Sequence, residues 1–529
     1  MRAKFSLVCR SKTKLIMGIF SKVARSSPRR SKFNLSCSRK MSMQRGFLVP
    51  FYLTDVLPGD SFRHSIDAFL RYAPMLAPVM DMEDVFFHVF FVPDRLIWDE
   101  SEEFHTGGKD GTAAPVPPFL KMSDLISEDV LDVGKLPDYL GLPSFNGAPT
   151  ADINVSALPF RAYQLVYNEY FRDQNLSDPV DFGLSSGDAV ADITALTTMR
   201  RRAWEKDYFT SALPWTQRGA EVLMPLHIEQ ENINYLDQST VVKSGAPPQD
   251  EAGLEVGASD ALIAGDAGLS AGDARIENID TIEGGSTTVR DFRRASRLEQ
   301  FLEKMATGGS RYWEFLWSIF RQKSPDARLQ RPELLGGSKQ PVVMSEVLST
   351  VFQETIPQGT MAGHGVSAGS SFLYKRHFVE HGWIVGFISI KPRTSYMQGV
   401  HRMWTRENRF DWGLPDFAHI GEQEVKNKEL YYQGLLADDP DGTFGYQSRY
   451  AEYKYGASTV HGQFKTTLAY WHGARIFTAL PVLNESFILA DPTVRFFAIQ
   501  DPDSEDVYVQ VFNQVSAVRP LPYFGTPRL

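Results

Sequence analysis

The sequence predicts a mainly β protein, a sandwich or barrel elaborated by long loops and a few helices. Three observations carry that expectation. Val85–Val92 (VFFHVFFV) is a continuous apolar run stopped by Pro93, the pattern of a strand buried on both faces. Trp383–Ile390 (WIVGFISI) and Val507–Phe512 (VYVQVF) combine β-branched and aromatic residues and also read as strands. The 31 Pro and 40 Gly imply many turns and long connections, which argues against a regular βαβ alternation. No internal period of solenoid or propeller length is visible. At 529 residues, with 43% apolar and 22% charged side chains, the chain can bury a large core.

The chain opens on a basic arm. Residues 1–45 hold 13 of the 55 Lys and Arg and no Asp or Glu, so the rest carries 42 basic and 64 acidic residues, a net charge of −22. Arg10, Lys12, Lys14, Lys22, Arg25, Arg29, Arg30, Lys32, Arg39, Lys40 and Arg45 are interleaved with serines and with Phe5, Phe20 and Phe33. Cations track phosphates and aromatic rings stack on unpaired bases, so these side chains are the candidate DNA contacts. If all 13 cations met phosphates of a single strand, the salt slope would be roughly −9; a chain starting at Met17 keeps 8 and gives roughly −6. The alternative is a solvated tail. Cys9 and Cys37 are the two cysteines, both in the arm, so the body has no disulfide framework and no Cys-based zinc site, as suits a reducing cytoplasm. Leu15–Phe20 is too short for a signal sequence, and no stretch approaches a membrane span.

Helices are fewer than strands. Phe160, Tyr163, Tyr167 and Tyr170 recur at helical spacing within Leu158–Arg172, and Phe292, Ala295, Leu302 and Met305 do so more loosely. Ser310 is placed to cap a third helix bearing Trp313, Leu316, Trp317 and Phe320 on one face, ended by Ser324-Pro325. All three stripes read as core. Between the second helix and the strands before it, Gly245–Ser286 holds 8 Gly, 8 Ala and 9 acidic residues with Arg275 as its single cation, so it supplies little core.

Several strings mimic catalytic or metal motifs. His377–His381 (HFVEH) matches the H-x-x-E-H zinc pattern, which needs both histidines on one helical face, yet it runs into a strand. Gly365–Gly369 (GVSAG) and Gly268–Gly272 (GLSAG) match G-x-S-x-G but lack the strand-turn-helix context of a nucleophile elbow. Asp438–Gly442 and Asp501–Asp506 concentrate carboxylates without EF-hand spacing, and read as solvated turns before interface cation sites. No catalytic residue, cofactor or metal site is assigned, and an enzyme is not expected.

A series of longer strings resembles a known family. GFLVPFYLTDVLPGDSF (Gly46–Phe62), VFFHVFFVPDRLIWD (Val85–Asp99), LPFRAYQLVYNEYFRDQNL (Leu158–Leu176) and DYFTSALPW (Asp207–Trp215) come first. SPDARLQRPELLGG (Ser324–Gly337), AHIGEQEV (Ala418–Val425), FGYQSRYAEYKY (Phe444–Tyr455), LPVLNESFI (Leu480–Ile488) and PLPYFGTP (Pro520–Pro527) follow. In this order they resemble the major capsid proteins of Microviridae, in particular the gokushovirus-like branch. The resemblance covers the chain from about Gly46 to the C-terminus, apart from the acidic segment. It implies an eight-stranded antiparallel jelly roll and self-assembly into a T=1 icosahedral shell around circular single-stranded DNA. It also implies a small basic DNA-packaging protein, a minor virion protein and a host surface receptor as partners, with assembly in the host bacterial cytoplasm.

The expected organisation is a flexible, interior-facing arm at 1–45, jelly-roll body at 46–218 and 291–529, and an acidic insertion at 219–290. The resemblance makes that insertion a protrusion at the three-fold axes used in host attachment, where Leu254, Val256, Leu262, Ile263 and Leu269 of three copies bury one another. Its acidity favours the outside, away from phosphates. Two rival readings remain at this point, a free-standing single-stranded-DNA-binding protein and, more remotely, a zinc peptidase. The acidic body weighs against the first, because a dedicated binder carries cations through its folded domain.

Overall fold

In the computed structural model the described residues are 29–144, 152–220, 222, 289–309, 311–348, 361–434, 439–501 and 504–524, with short strands between 241 and 275. Ten strands form the central sandwich: β1 Ser31–Asn34, β2 Cys37–Met43, β3 Val49–Val56, β4 Ser61–Tyr72, β5 Glu83–Pro93, β6 Glu333–Pro341, β7 Val343–Leu348, β8 Met361–His377, β9 Gly382–Pro392 and β12 Val507–Arg519. Outside the sandwich, β10 Glu422–Lys426 and β11 Thr443–Ser448 make a separate antiparallel ribbon in the loops, and Phe119–Lys121 pairs with Asn154–Ser156 in another.

One sheet has six strands. Its path runs β1-β12-β4-β8-β7, and β2 also pairs with β12. The other has four, in the order β6-β5-β9-β3. All pairings are antiparallel. Chain-adjacent strands fall in opposite sheets at β2/β3, β3/β4 and β4/β5, the interleaving of a jelly roll. The sandwich holds ten strands rather than eight, because β1 extends the edge made by β2 along β12 and β7 adds an outer edge beside β8.

Alternation explains the pairing. In β12 the residues Val507, Val509, Val511, Val515 and Ala517 face inward and are buried, while Tyr508, Gln510 and Phe512 between them are exposed. The inner faces of the two sheets enclose one core around Phe51, Phe62, Ile66, Leu70, Phe87 and Ile388. The four-stranded sheet is buried on its outer face as well. Phe90, Val92, Val385 and Phe387 pack there against Phe160, Tyr163 and Val166 of α1, Leu158–Val166, in a second core. The uninterrupted apolar texture of VFFHVFFV therefore has a physical cause: both faces of β5 meet side chains. Helix α1 continues into a π-helical turn at Tyr167–Phe171, so the expected helix 158–172 is present, with its last turn widened.

Two other expectations need correction. The helix at α2, Val289–Gly308, forms, but Phe292, Leu298 and Phe301 are exposed and Ala306 is its one buried residue; it is not a core helix. The third, α3, Tyr312–Phe320, begins after Arg311, whose backbone N–H donates to the Glu314 carboxylate at 3.1 Å; Ser310 lies outside the described residues. It ends at Arg321, which adopts φ 52°, four residues before Pro325.

By contacts the chain divides into two compact units, one of 1–214, 311–317 and 321–529 and a smaller one of 215–310 and 318–320. The smaller contains α2 and a set of short strands. There Leu254–Val256 pairs antiparallel with Leu262–Ala264, and Val241–Lys243 lies between Glu251–Ala252 and Ala274–Arg275. No helix among the described residues is long and apolar enough to cross a membrane.

Candidate nucleic-acid interface

One face of the sandwich is left bare among the described residues. The four-stranded sheet is covered by α1 and its neighbours, whereas the outer face of the six-stranded sheet carries alternate exposed side chains along its whole width. Cross-strand register fixes the rows. Tyr508 lies opposite Ser42 on one side and Arg71 on the other; Gln510 lies between Lys40 and Phe69; Ser516 lies between Asn34 and Arg63. A bulge in β8 at Leu373 puts Lys375 opposite Arg63, back in phase with Phe372 opposite Ser65. Lys32 pairs across to Val518 on the same face.

Lys32, Lys40, Arg63, Arg71 and Lys375 thus share this surface with one strand carboxylate, Asp67, which accepts from Gln514 Nε2 at 2.6 Å. Four rings stand among them: Phe69, Phe372, Tyr508 and Phe512 are 49, 56, 48 and 38% exposed. Exposed rings set among cations make this face a candidate contact surface. The Arg63 guanidinium lies 5.8 Å over the Phe372 ring, so part of the pattern is already a cation–π contact within the chain. Beside β2, Ser38, Lys40, Phe69, Arg71, Tyr508 and Gln510 line an open groove of about 840 Å³. Tyr139 and Glu505 close its far rim, the Tyr139 hydroxyl donating to the Ser42 carbonyl and the Glu505 carboxylate.

The predicted arm residues divide into three groups. Arg10, Lys12, Lys14, Lys22 and Arg25 lie outside the described residues. Arg29 and Arg30 are exposed where the chain enters β1, and Lys32 and Lys40 stand on the bare face. Arg39 and Arg45 do not. Arg39 points to the other side of β2, donating to the Tyr139 carbonyl at 2.9 Å, and burial lowers its pKa from the ordinary arginine range.

Arg45 is a correction. It is 3% exposed, with Nη1 at 2.7 Å from Glu83, Nε at 2.5 Å from Asp506, and Nη2 donating to the Thr493 carbonyl at 2.7 Å. Its guanidinium sits 4.8 and 4.9 Å from the Phe496 and Phe497 rings. Burial opposes the charge, yet the two carboxylates hold its pKa above the ordinary value. It ties the strands together and cannot reach a phosphate. Residues 31–34 and 37–43 of the basic segment are therefore strands of the sheet, because their alternation satisfies a ladder along β12.

Sequence reasoning missed Arg63, Arg71, Lys375 and the four rings. The signal lay in Ser61–Tyr72 (SFRHSIDAFLRY), where even positions are apolar or buried and odd ones polar, except Phe69. An aromatic out of phase in an otherwise clean alternation is what marks the face.

The zinc-like string is dispersed. It spans the end of β8 and the turn before β9, not a helix. His377 Nδ1 is 2.9 Å from Ser61 Oγ, Glu380 pairs with Arg95 at 2.8 Å, and the His381 ring stacks on His105 at 3.9 Å. Ser367 of GVSAG lies mid-strand on β8 and donates to the Pro341 carbonyl at 2.8 Å; Gly268–Gly272 lies outside the described residues. Of the proposed protrusion contacts, Leu254, Val256, Leu262 and Ile263 fall on the paired strands of the smaller unit, and Leu269 lies outside the described residues.

Comparison with known proteins completes the description. The model of the family described as "Capsid protein (F protein)" matches residues 21–529. Capsid protein VP1 of Bdellovibrio phage phiMH2K is 35% identical over 94% of this chain and 95% of its own length. VP1 of Chlamydia phage 1 is 32% identical over 96% and 97%, and VP1 of Spiroplasma virus 4 is 29% identical over 94% and 95%.

Proposed function

Since this chain belongs to the capsid protein (F protein) family, with Microviridae VP1 proteins as relatives, it is a major capsid protein, and we propose that its copies close into a T=1 icosahedral shell with the bare six-stranded sheet turned toward single-stranded DNA. The observation that supports the orientation is the asymmetry of the sandwich: one sheet is covered on both faces, and the other offers cations and exposed rings with a single carboxylate between them. Lys32, Lys40, Arg63, Arg71 and Lys375 neutralise phosphates, Phe69, Phe372, Tyr508 and Phe512 stack on unpaired bases, and residues before Ser31 add further cations to the same partner. No base-specific contact and no catalysis are invoked. The acidic segment between 215 and 289 leaves the body as a separate unit, and its charge suits the outside, as a three-fold protrusion that meets the host.

The test is a salt titration of single-stranded DNA binding by the full chain. Replacing Lys40 and Arg71 together by Ala is expected to reduce the slope of log K against log salt by about 1.4, at about 0.7 for each lost phosphate contact. An unchanged slope and affinity sink the orientation.

A further inference from the structure

The far side of the sandwich holds basic groups, Lys391 buried and Arg202, Arg172 and His88 half-buried, that pair with no carboxylate among the described residues. On the outer face of the four-stranded sheet, His88 lies opposite Phe387, Phe86 opposite Ser389, and Asp84 opposite Lys391. Lys391 is 4% exposed; its ammonium donates to the Ala203 carbonyl at 3.0 Å and lies 5.3 Å from the Phe86 ring centre. Arg202 lies over the same ring at 4.4 Å and donates to Ser389 Oγ at 2.9 Å. Among the described residues neither forms an ion pair within 4.0 Å. The nearby carboxylates are engaged by more exposed cations: Asp84 by Lys339 at 2.7 Å and Arg393 at 3.6 Å, Glu205 by Lys339 at 3.8 Å, Asp173 by Lys206 at 2.6 Å. His88 Nδ1 and Arg172 Nε are buried without a hydrogen-bond partner. His88, Arg172, Arg202 and Lys391 all line one cavity of about 460 Å³, whose wall also includes Phe90, Phe171 and the carboxylates Asp173 and Glu205, each paired to a lysine.

We propose that this cavity is an oxyanion site, taking a phosphate group between Arg202 and Lys391 on the side of the sandwich opposite the bare sheet. A buried charge without a counter-ion is strongly unfavourable, and a multidentate oxyanion accepting from both cations relieves it. The volume falls in the range of small-ligand pockets and exceeds what a lone phosphate needs, so the group can be free or carried on a larger molecule. The local electrostatics agree. Burial, then repulsion from Arg202, pushes Lys391 down to about 7, with Glu205 and Asp84 opposing and Lys339 adding. Burial, then Arg202 and Lys391, pushes His88 down to about 3. A bound anion reverses the effect on Lys391, so binding near neutral pH takes up a proton.

The experiment is calorimetric titration of assembled particles with inorganic phosphate at pH 7.5, in two buffers of different ionisation enthalpy. Saturable binding with net proton uptake is expected. Lys391→Met and Arg202→Gln should each weaken it at least tenfold, while Lys109→Ala, at an exposed cation with no assigned role, leaves it unchanged. Lys391→Arg keeps the charge but does not titrate, so it should retain binding and lose the proton uptake, which separates an anion site from a merely folded-state role. A thymidine dinucleotide supplies the second arm: binding competed by phosphate assigns the site to a phosphate carried on an organic molecule, and phosphate binding alone assigns it to the free ion. Absence of saturable phosphate binding, or binding that Lys391→Met and Arg202→Gln leave intact, overturns the proposal.

Discussion

Arg45 stands where the cationic run meets the barrel, and its surroundings decide what that charge does. Removing it leaves Glu83 and Asp506 buried without their cation, a loss of about 3–5 kcal/mol for a broken buried pair. Arg45→Met is expected to lower the unfolding free energy of the unassembled chain, measured by denaturant titration, by that amount without changing the DNA affinity of the folded fraction. Equal stability would mean the network is not formed. His64 makes a second residue-level prediction. It is fully buried between the sheets, with Nε2 3.0 Å from Asn513 Oδ1, and burial lowers its pKa to about 4. The unfolded chain takes up this proton near the ordinary value of 6.5 and the folded chain does not, so stability falls as pH drops from about 6.5 to 4. The slope reaches about 1.4 kcal/mol per pH unit for one histidine. His64→Gln should flatten the stability profile across that window; an unchanged profile would show that His64 does not contribute.

At the scale of elements, three of the sandwich's ten strands, β5, β9 and β12, were readable from the sequence pattern. The apolar run of β5 announced a strand buried on both faces, and the β-branched and aromatic content of β9 and β12 announced strands; the structure adds that β9 is buried on both faces and β12 on one. Less visible was whether a stripe is covered. The same helical spacing reads as core for Phe160 and Tyr163, which are buried under β5 and β9, and for Phe292, which is exposed. Spacing reports which residues share a face, and only the tertiary partner decides whether that face is buried. Charge misled in the same way: Arg45 and Lys40 look alike in a basic run, but one caps a buried network and the other stands on the bare sheet. Packing at the α1 interface is testable directly. Phe387, under the rings of Phe90, Tyr163 and Phe171, should cost about 3–5 kcal/mol as Phe387→Ala. Phe69→Ala on the bare face should leave stability nearly unchanged and weaken single-stranded DNA binding by about 1–3 kcal/mol. The opposite pattern, a stability loss at Phe69 and none at Phe387, would exchange the covered and bare faces.

For the molecule as a whole, membership of a capsid family gives the one-sided sandwich a wall to belong to, and the proposed orientation sets which side faces the genome. The smaller unit at 215–310 belongs at this scale. Deleting Gly245–Ser286 should leave particles that assemble and package DNA but adsorb poorly to host cells, measured as the fraction of particles bound; unaltered adsorption removes the attachment role. The most direct measurement for the central claim is cryo-electron microscopy of DNA-filled particles made by this chain. The account predicts a closed isometric shell whose inner lining is the six-stranded sheet, with nucleic-acid density over Lys40, Phe69, Arg71 and Tyr508. A shell with that sheet on its outer surface, or with α1 facing the genome instead, would contradict it.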